Sequence, residues 1–163
     1  MDLYTDYDMI CRQIDAFGET DPWYVPFLSN VSALLYESLQ DINWAGFYLK
    51  KDGRLILGPF QGRPACIHIE IGKGVCGTAV KESRIIRVRD VHEFPGHIAC
   101  DAASRSEIVL PLYAAETDSD SRKKTGTITG VLDIDSPVED RFSEADEKGL
   151  AAVAGIISSI IRF

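Results

Sequence analysis

The sequence predicts an α+β fold with helices on one side of an antiparallel sheet. Apolar residues recur at helical spacing near both ends of the chain, a hairpin signature follows the N-terminal helices, and the middle alternates short apolar runs with turn residues. No repeat, linker or composition shift interrupts the 163 residues, so residues 1–163 are expected to form a single domain.

The elements follow in order. "DYDMICRQIDAF" has helix-like spacing. "DPWYVPFLSNVSALLYESLQD" opens with Asp21-Pro22, read as an N-cap and a first-turn proline, while Pro26 is expected to delay regular helix until Phe27. Leu28, Val31, Leu35 and Leu39 then share one face. "NWAGFYLKKDGRLILGPF" reads as a hairpin turning at Lys51-Asp52-Gly53. "PACIHIEI" alternates, which places Ile67, Ile69 and Ile71 on one face and Cys66, His68 and Glu70 on the other. "GKGVCGTAVKES" predicts a short glycine-flanked helix and "RIIRVRDV" a short strand. Residues 89–107 form a long loop, a feature that tends to carry function in compact domains. Strands at 108–114 and 127–135 are joined by the charged "AETDSDSRKKTG". Ser143 and Asp146 resemble a capping box, and Leu150, Val153, Ile157, Ile160 and Ile161 make the last helix amphipathic.

Composition narrows the function. The apolar share is 45%, the charged share 26% and the net charge −8. That charge argues against a nucleic-acid binder, which needs a basic face. No apolar stretch reaches membrane-spanning length and the acidic N-terminus is unlike a signal segment, so neither a membrane span nor secretion is expected. "GKGVCG" lacks the phosphate-loop pattern. His68 and His92 read as surface or hydrogen-bonding residues.

Four cysteines, Cys11, Cys66, Cys76 and Cys100, then have to be explained in a chain expected to be cytoplasmic. A buried cysteine is usually a small hydrophobe. Cys66, Cys76 and Cys100 instead lie in polar or glycine-rich settings near strand ends. They are 10 and 24 residues apart, without the close ligand pair of a zinc site. Three such thiols favour thiol–disulfide chemistry, in which one thiolate attacks and a second resolves the oxidised sulfur.

Other side chains suggest a pocket. In "GVLDIDSP", Val131, Asp133 and Asp135 point to one face and Leu132 and Ile134 to the other. Such a row is either the wet face of a strand or, with Glu107 at the end of the cysteine loop, an acidic pocket for an ammonium group. Trp44 and Tyr48 share a face of their strand, as half-buried aromatics or as the wall of a pocket for a methyl or thioether group.

"WAGFYL", "LGPFQGRPAC", "GKGVCGTAV", "DVHEFPGHIACDAASRSEIVLPL" and "GVLDIDS" resemble the free methionine-(R)-sulfoxide reductases, enzymes built on a GAF domain. The likeness runs from about Ser29 to the C-terminus and includes three cysteines in order. It implies a central antiparallel sheet with N- and C-terminal helices packed on one side and active-site loops on the other. It also implies that Cys100 is the catalytic cysteine, Cys66 the principal resolving cysteine and Cys76 a further redox cysteine. Glu107, Asp133 and Asp135 correspond to acidic substrate-binding residues, and Trp44 and Tyr48 to the aromatic wall. Cys11 has no counterpart, and the insertion around "TDSDSRKK" is longer than the family's hairpin.

The resemblance further implies reduction of free methionine (R)-sulfoxide by the Cys100 thiolate, with Glu107 or Asp135 as the acid. The sulfenic acid would condense with Cys66 or Cys76, and thioredoxin or a similar dithiol would reset the enzyme without metal or cofactor. A free cysteine titrates near ~8.5; His97 and loop amides would lower that value for Cys100 and nearby carboxylates would oppose them. The alternative is a GAF-type small-molecule or redox sensor that binds without turnover. The wide apolar face of the last helix, with Ile156 and Ile160, leads to the expectation of a homodimer.

Overall fold

In a computed structural model, the structure describes residues 5–98, 102–114 and 126–163. Cys100 and the "TDSDSRKK" insertion lie outside the described residues. The chain runs α1 (Tyr7–Thr20), α2 (Tyr24–Ser38), β1 (Trp44–Lys51), β2 (Arg54–Gly62), β3 (His68–Glu70), α3 (Gly74–Glu82), β4 (Ile86–Val88), a short 3-10 turn (Val91–Glu93), β5 (Ser106–Tyr113), β6 (Ile128–Ser136) and α4 (Glu144–Ile160). The strands form one sheet in the order β3-β2-β1-β6-β5-β4. Every pairing within it is antiparallel.

The sheet divides two apolar clusters. On one side, Ile10 and Ile14 of α1, Leu28, Val31 and Leu35 of α2 and Leu150, Val153 and Ile157 of α4 pack on Phe47, Ile108, Leu110, Leu132 and Ile134. On the other side, Trp44, Tyr48, Val109 and Val131 meet Val75, Cys76, Ala79 and Val80 of α3. Alternation on β1, β5 and β6 therefore serves two cores, which is why these strands are buried almost throughout.

Local chemistry sets the ends of the elements. Asp52 and Gly53 take φ of 52° and 77°, and Lys51 pairs with Arg54, giving a two-residue hairpin turn. Ser143 and Asp146 form a reciprocal capping box that starts α4. Asp6 caps α1 by accepting from the Met9 amide.

Two sequence expectations are corrected. Asp21 does not cap α2. Trp23 is the N-cap residue and Asp21 accepts from its amide, while Pro26 sits inside the first turn, where no N–H partner exists to lose. Ile67 does not share a buried face with Ile69: it is 62% exposed because β3 begins only at His68, on the sheet edge. The apolar face of α4 is partly covered within the chain: Ile156 and Ile160 pack, half-buried, against the helical core, with Ile160 against Gly18 of α1 and Tyr7 against Gly149. Among the described residues, no helix is long and apolar enough to cross a membrane.

Candidate active site

Strand register assembles the site. In the β1–β6 ladder Trp44 stands across from Asp135, Gly46 from Asp133 and Tyr48 from Val131. In the β5–β6 ladder Glu107 faces Asp135 and Val109 faces Asp133. Because side chains alternate, this row projects to one face of the sheet, where α3 brings Cys76 above it. The cavity between them is lined by Trp44, Tyr48, Cys76, Glu107, Asp133 and Asp135, with His97 and Ile98 at its rim. Its free space is about 50 Å³, room for a water or two.

The aromatic wall is continuous. Trp44 stacks on Tyr48 with centroids 5.9 Å apart and on Phe60 at 5.2 Å. Phe60 was not singled out from the sequence. Its signal was there in principle, because it is the ladder partner of Gly46 and an aromatic commonly covers a strand glycine. A Cβ on Gly46 would overlap Phe60 and come within 2.8 Å of Trp44, so the glycine makes the stack possible. Trp44 Nε1 donates to the Arg63 carbonyl at 3.1 Å, and Tyr48 Oη donates to the Cys66 carbonyl at 2.9 Å. These two bonds tie the segment carrying Cys66 to the pocket wall.

The acidic residues are buried: Glu107 is 6% exposed and Asp133 6%. Burial pushes the Glu107 carboxyl well above the usual carboxylate range, and the charges of Asp133 and Asp135 push it further. Burial also lifts Asp133 to about 6, against hydrogen bonds from Cys76 and Glu107 that hold it down. Glu107 and Asp133 therefore titrate as an interacting pair, both held above the usual carboxylate range. The Cys76 thiol is raised well above its ordinary value, first by burial and then by Asp133, Glu107 and Asp135, so it stays neutral. Tyr48 is raised by burial in the same way and remains a donor. His97 Nε2 lies 3.8 Å from Glu107 Oε2, and burial and then His92 lower the imidazole's pKa, which works against an ion pair there.

The structure thus brings Trp44, Tyr48, Cys76, Glu107, Asp133 and Asp135 into one pocket, with the Cys66 backbone on its wall. Cys66 is disulfide-bonded, whereas Cys76 and Cys11 are free. Cys11 lies on α1, among residues packed on the opposite core, away from the pocket. Chemically, the site offers a desolvated acidic floor suited to a small cation, and an aromatic wall beside the Cys76 thiol.

The GAF domain family matches residues 15–161. The chain is 53% identical over 160 residues to the free methionine-R-sulfoxide reductase of Escherichia coli, covering 98% of this chain and 87% of that protein. It is 52% identical over 155 residues to protein YtsP of Bacillus subtilis, covering 94% and 89%. A structure of the fRMsr of Staphylococcus aureus in complex with its substrate superposes with a TM-score of 0.85 at 49% identity, covering 98% of this chain and 97% of that one.

Proposed function

From a chain that belongs to the GAF domain family and, within it, to the free methionine-R-sulfoxide reductases, we propose an enzyme that reduces free methionine (R)-sulfoxide to methionine at the pocket between the sheet and α3. The observation that carries this reading is the placement of two buried carboxyls, Glu107 and Asp133, in one pocket with the stacked Trp44, Tyr48 and Phe60. Asp133 and Asp135 take the α-ammonium of the substrate and the aromatic rings take its methyl and thioether end.

The proposed chemistry uses these groups in turn. The Cys100 thiolate attacks the sulfoxide sulfur while Glu107 delivers its proton to the oxygen, which leaves methionine and a Cys100 sulfenic acid. Attack by the Cys66 thiol on that sulfenic acid releases water and forms a disulfide. Thioredoxin or a similar dithiol returns both sulfurs to thiols and is itself oxidised, and a cytoplasmic setting maintains such reductants. In support of Cys66 as the resolving thiol, Cys66 is disulfide-bonded while Cys76 is a buried free thiol.

The test is the consumption of dithiothreitol against added substrate. The enzyme should oxidise one equivalent of dithiol per (R)-sulfoxide supplied and leave the (S)-epimer untouched. A protein that binds the sulfoxide but oxidises no dithiol would be a sensor instead.

A further inference from the structure

We propose that the floor of this pocket is also a site for a thiophilic divalent cation, Zn²⁺ or Cd²⁺, held by Cys76 Sγ and one carboxylate oxygen each from Glu107 and Asp133. One ligand atom from each of these three residues lies within 4.8 Å of the others, and all three residues are buried. Cys76 Sγ is 4.0 Å from Glu107 Oε1. Tetrahedral zinc with ordinary bond lengths would set sulfur and oxygen about 3.6 Å apart, so this pair needs a few tenths of an ångström of closure and a pair at the 4.8 Å limit about 1 Å.

A second observation points the same way. Asp133 Oδ1 is a fully buried oxygen without a hydrogen-bond partner, one of three such side-chain atoms among the described residues, and Asp133 lines the cavity. An unpartnered carboxylate oxygen in a desolvated site is stabilised by a cation. An ammonium group would also serve that oxygen, but it gains nothing from the neighbouring sulfur. Thiolate together with two carboxylates suits a borderline-soft ion and leaves a fourth position for water; Ca²⁺ and Mg²⁺ demand more oxygens. The free space of about 50 Å³ accommodates an ion and a water. Binding displaces the Cys76 thiol proton and the Glu107 proton into solvent. If the substrate's ammonium binds as proposed above, the ion occupies the same floor and inhibits the enzyme competitively, a consequence that rests on that reading whereas the binding itself does not.

The experiment uses the disulfide form of the full chain, in which Cys66 is bonded and Cys76 is free, so no chelating reductant is needed. Cys11→Ser removes the other free thiol. Titration with Cd²⁺ should give an ultraviolet thiolate-to-metal band that saturates at one equivalent. Cys76→Ser should abolish the band, and Asp133→Asn, which keeps the thiol, should weaken binding at least tenfold. No band, a band unchanged in Cys76→Ser, or unchanged affinity in Asp133→Asn would overturn the site, the last arm standing even if Cys76→Ser fails to fold. In a Cys66→Ser, Cys100→Ser variant, which cannot turn over, methionine sulfoxide should displace the ion. Binding without such displacement supports the metal site and counts against the substrate placement alone.

Discussion

Glu107 on β5 stands directly across the ladder from Asp135 on β6, with Asp133 two residues further along the same face. Like charges placed opposite one another destabilise a sheet, and burial compounds the effect. Asp133 titrates at about 6 in the folded protein, above its ordinary carboxylate range. A carboxyl whose folded-state pKa is raised contributes its stability below the unfolded value and loses it as pH rises through the folded one. Between pH 4 and 7 the unliganded protein should therefore lose up to about 3 kcal/mol at this residue. Urea denaturation of Asp133→Asn should show the variant gaining on the wild type by that amount over this window. A constant difference would refute the assignment.

Cysteine roles separate by turnover number. Cys100→Ser should yield no methionine even in a single turnover. Cys66→Ser should yield about one methionine per subunit and then stall, because the sulfenic acid has no resolving thiol. Quenched-flow quantitation of methionine from reduced protein distinguishes the two, and one methionine per subunit from Cys100→Ser would remove that residue as the nucleophile.

Free substrate should be preferred over blocked substrate. A buried carboxylate left without its cation costs about 1–3 kcal/mol, equivalent to roughly ten- to a hundredfold in binding. Acetylating the amine of methionine sulfoxide should thus lower kcat/KM at least tenfold. Equal rates on the two compounds would dismiss the ammonium pocket and leave the sulfur chemistry standing.

Gly46→Ala probes the aromatic wall. The added methyl overlaps Phe60 and crowds Trp44, on backbone that is central in the sheet. Overpacking of this kind costs about 1–3 kcal/mol. The urea midpoint should fall and KM should rise together, as the Trp44–Phe60 stack at 5.2 Å is pushed apart. Unchanged KM in a destabilised protein would show that the stack is structural only.

Substrate affinity should depend on redox state. In this disulfide-bonded chain the free space of the pocket is about 50 Å³, and the segment carrying Cys66 is tied to its wall. Calorimetry should find methionine sulfoxide binding at least tenfold more weakly to oxidised protein than to a reduced Cys100→Ser variant. Equal affinity would show that the pocket opens independently of Cys66.

Much of this was legible in the linear chain, because periodicity and turn chemistry are local. Alternation in "GVLDIDSP" put Asp133 and Asp135 on the face opposite Leu132 and Ile134, which is where β6 carries them. The spacing of Trp44 and Tyr48 implied a shared face, and they stack. The Ser143–Asp146 capping box and the Asp52-Gly53 turn also formed as their residue types dictate.

What the sequence could not decide was whatever depends on neighbours distant along the chain. Whether a row of acids is a wet face or a buried floor depends on α3, which closes over it and buries Glu107. Phe60 joined the wall only through its register with Gly46, and Ile67 was left in solvent because β3 starts one residue later on an edge strand. The half-burial of Ile156 and Ile160 on α4 likewise came from packing against α1, far away in sequence. In each case the residue type sets what a side chain can do, whereas desolvation and contact are properties of the packed assembly.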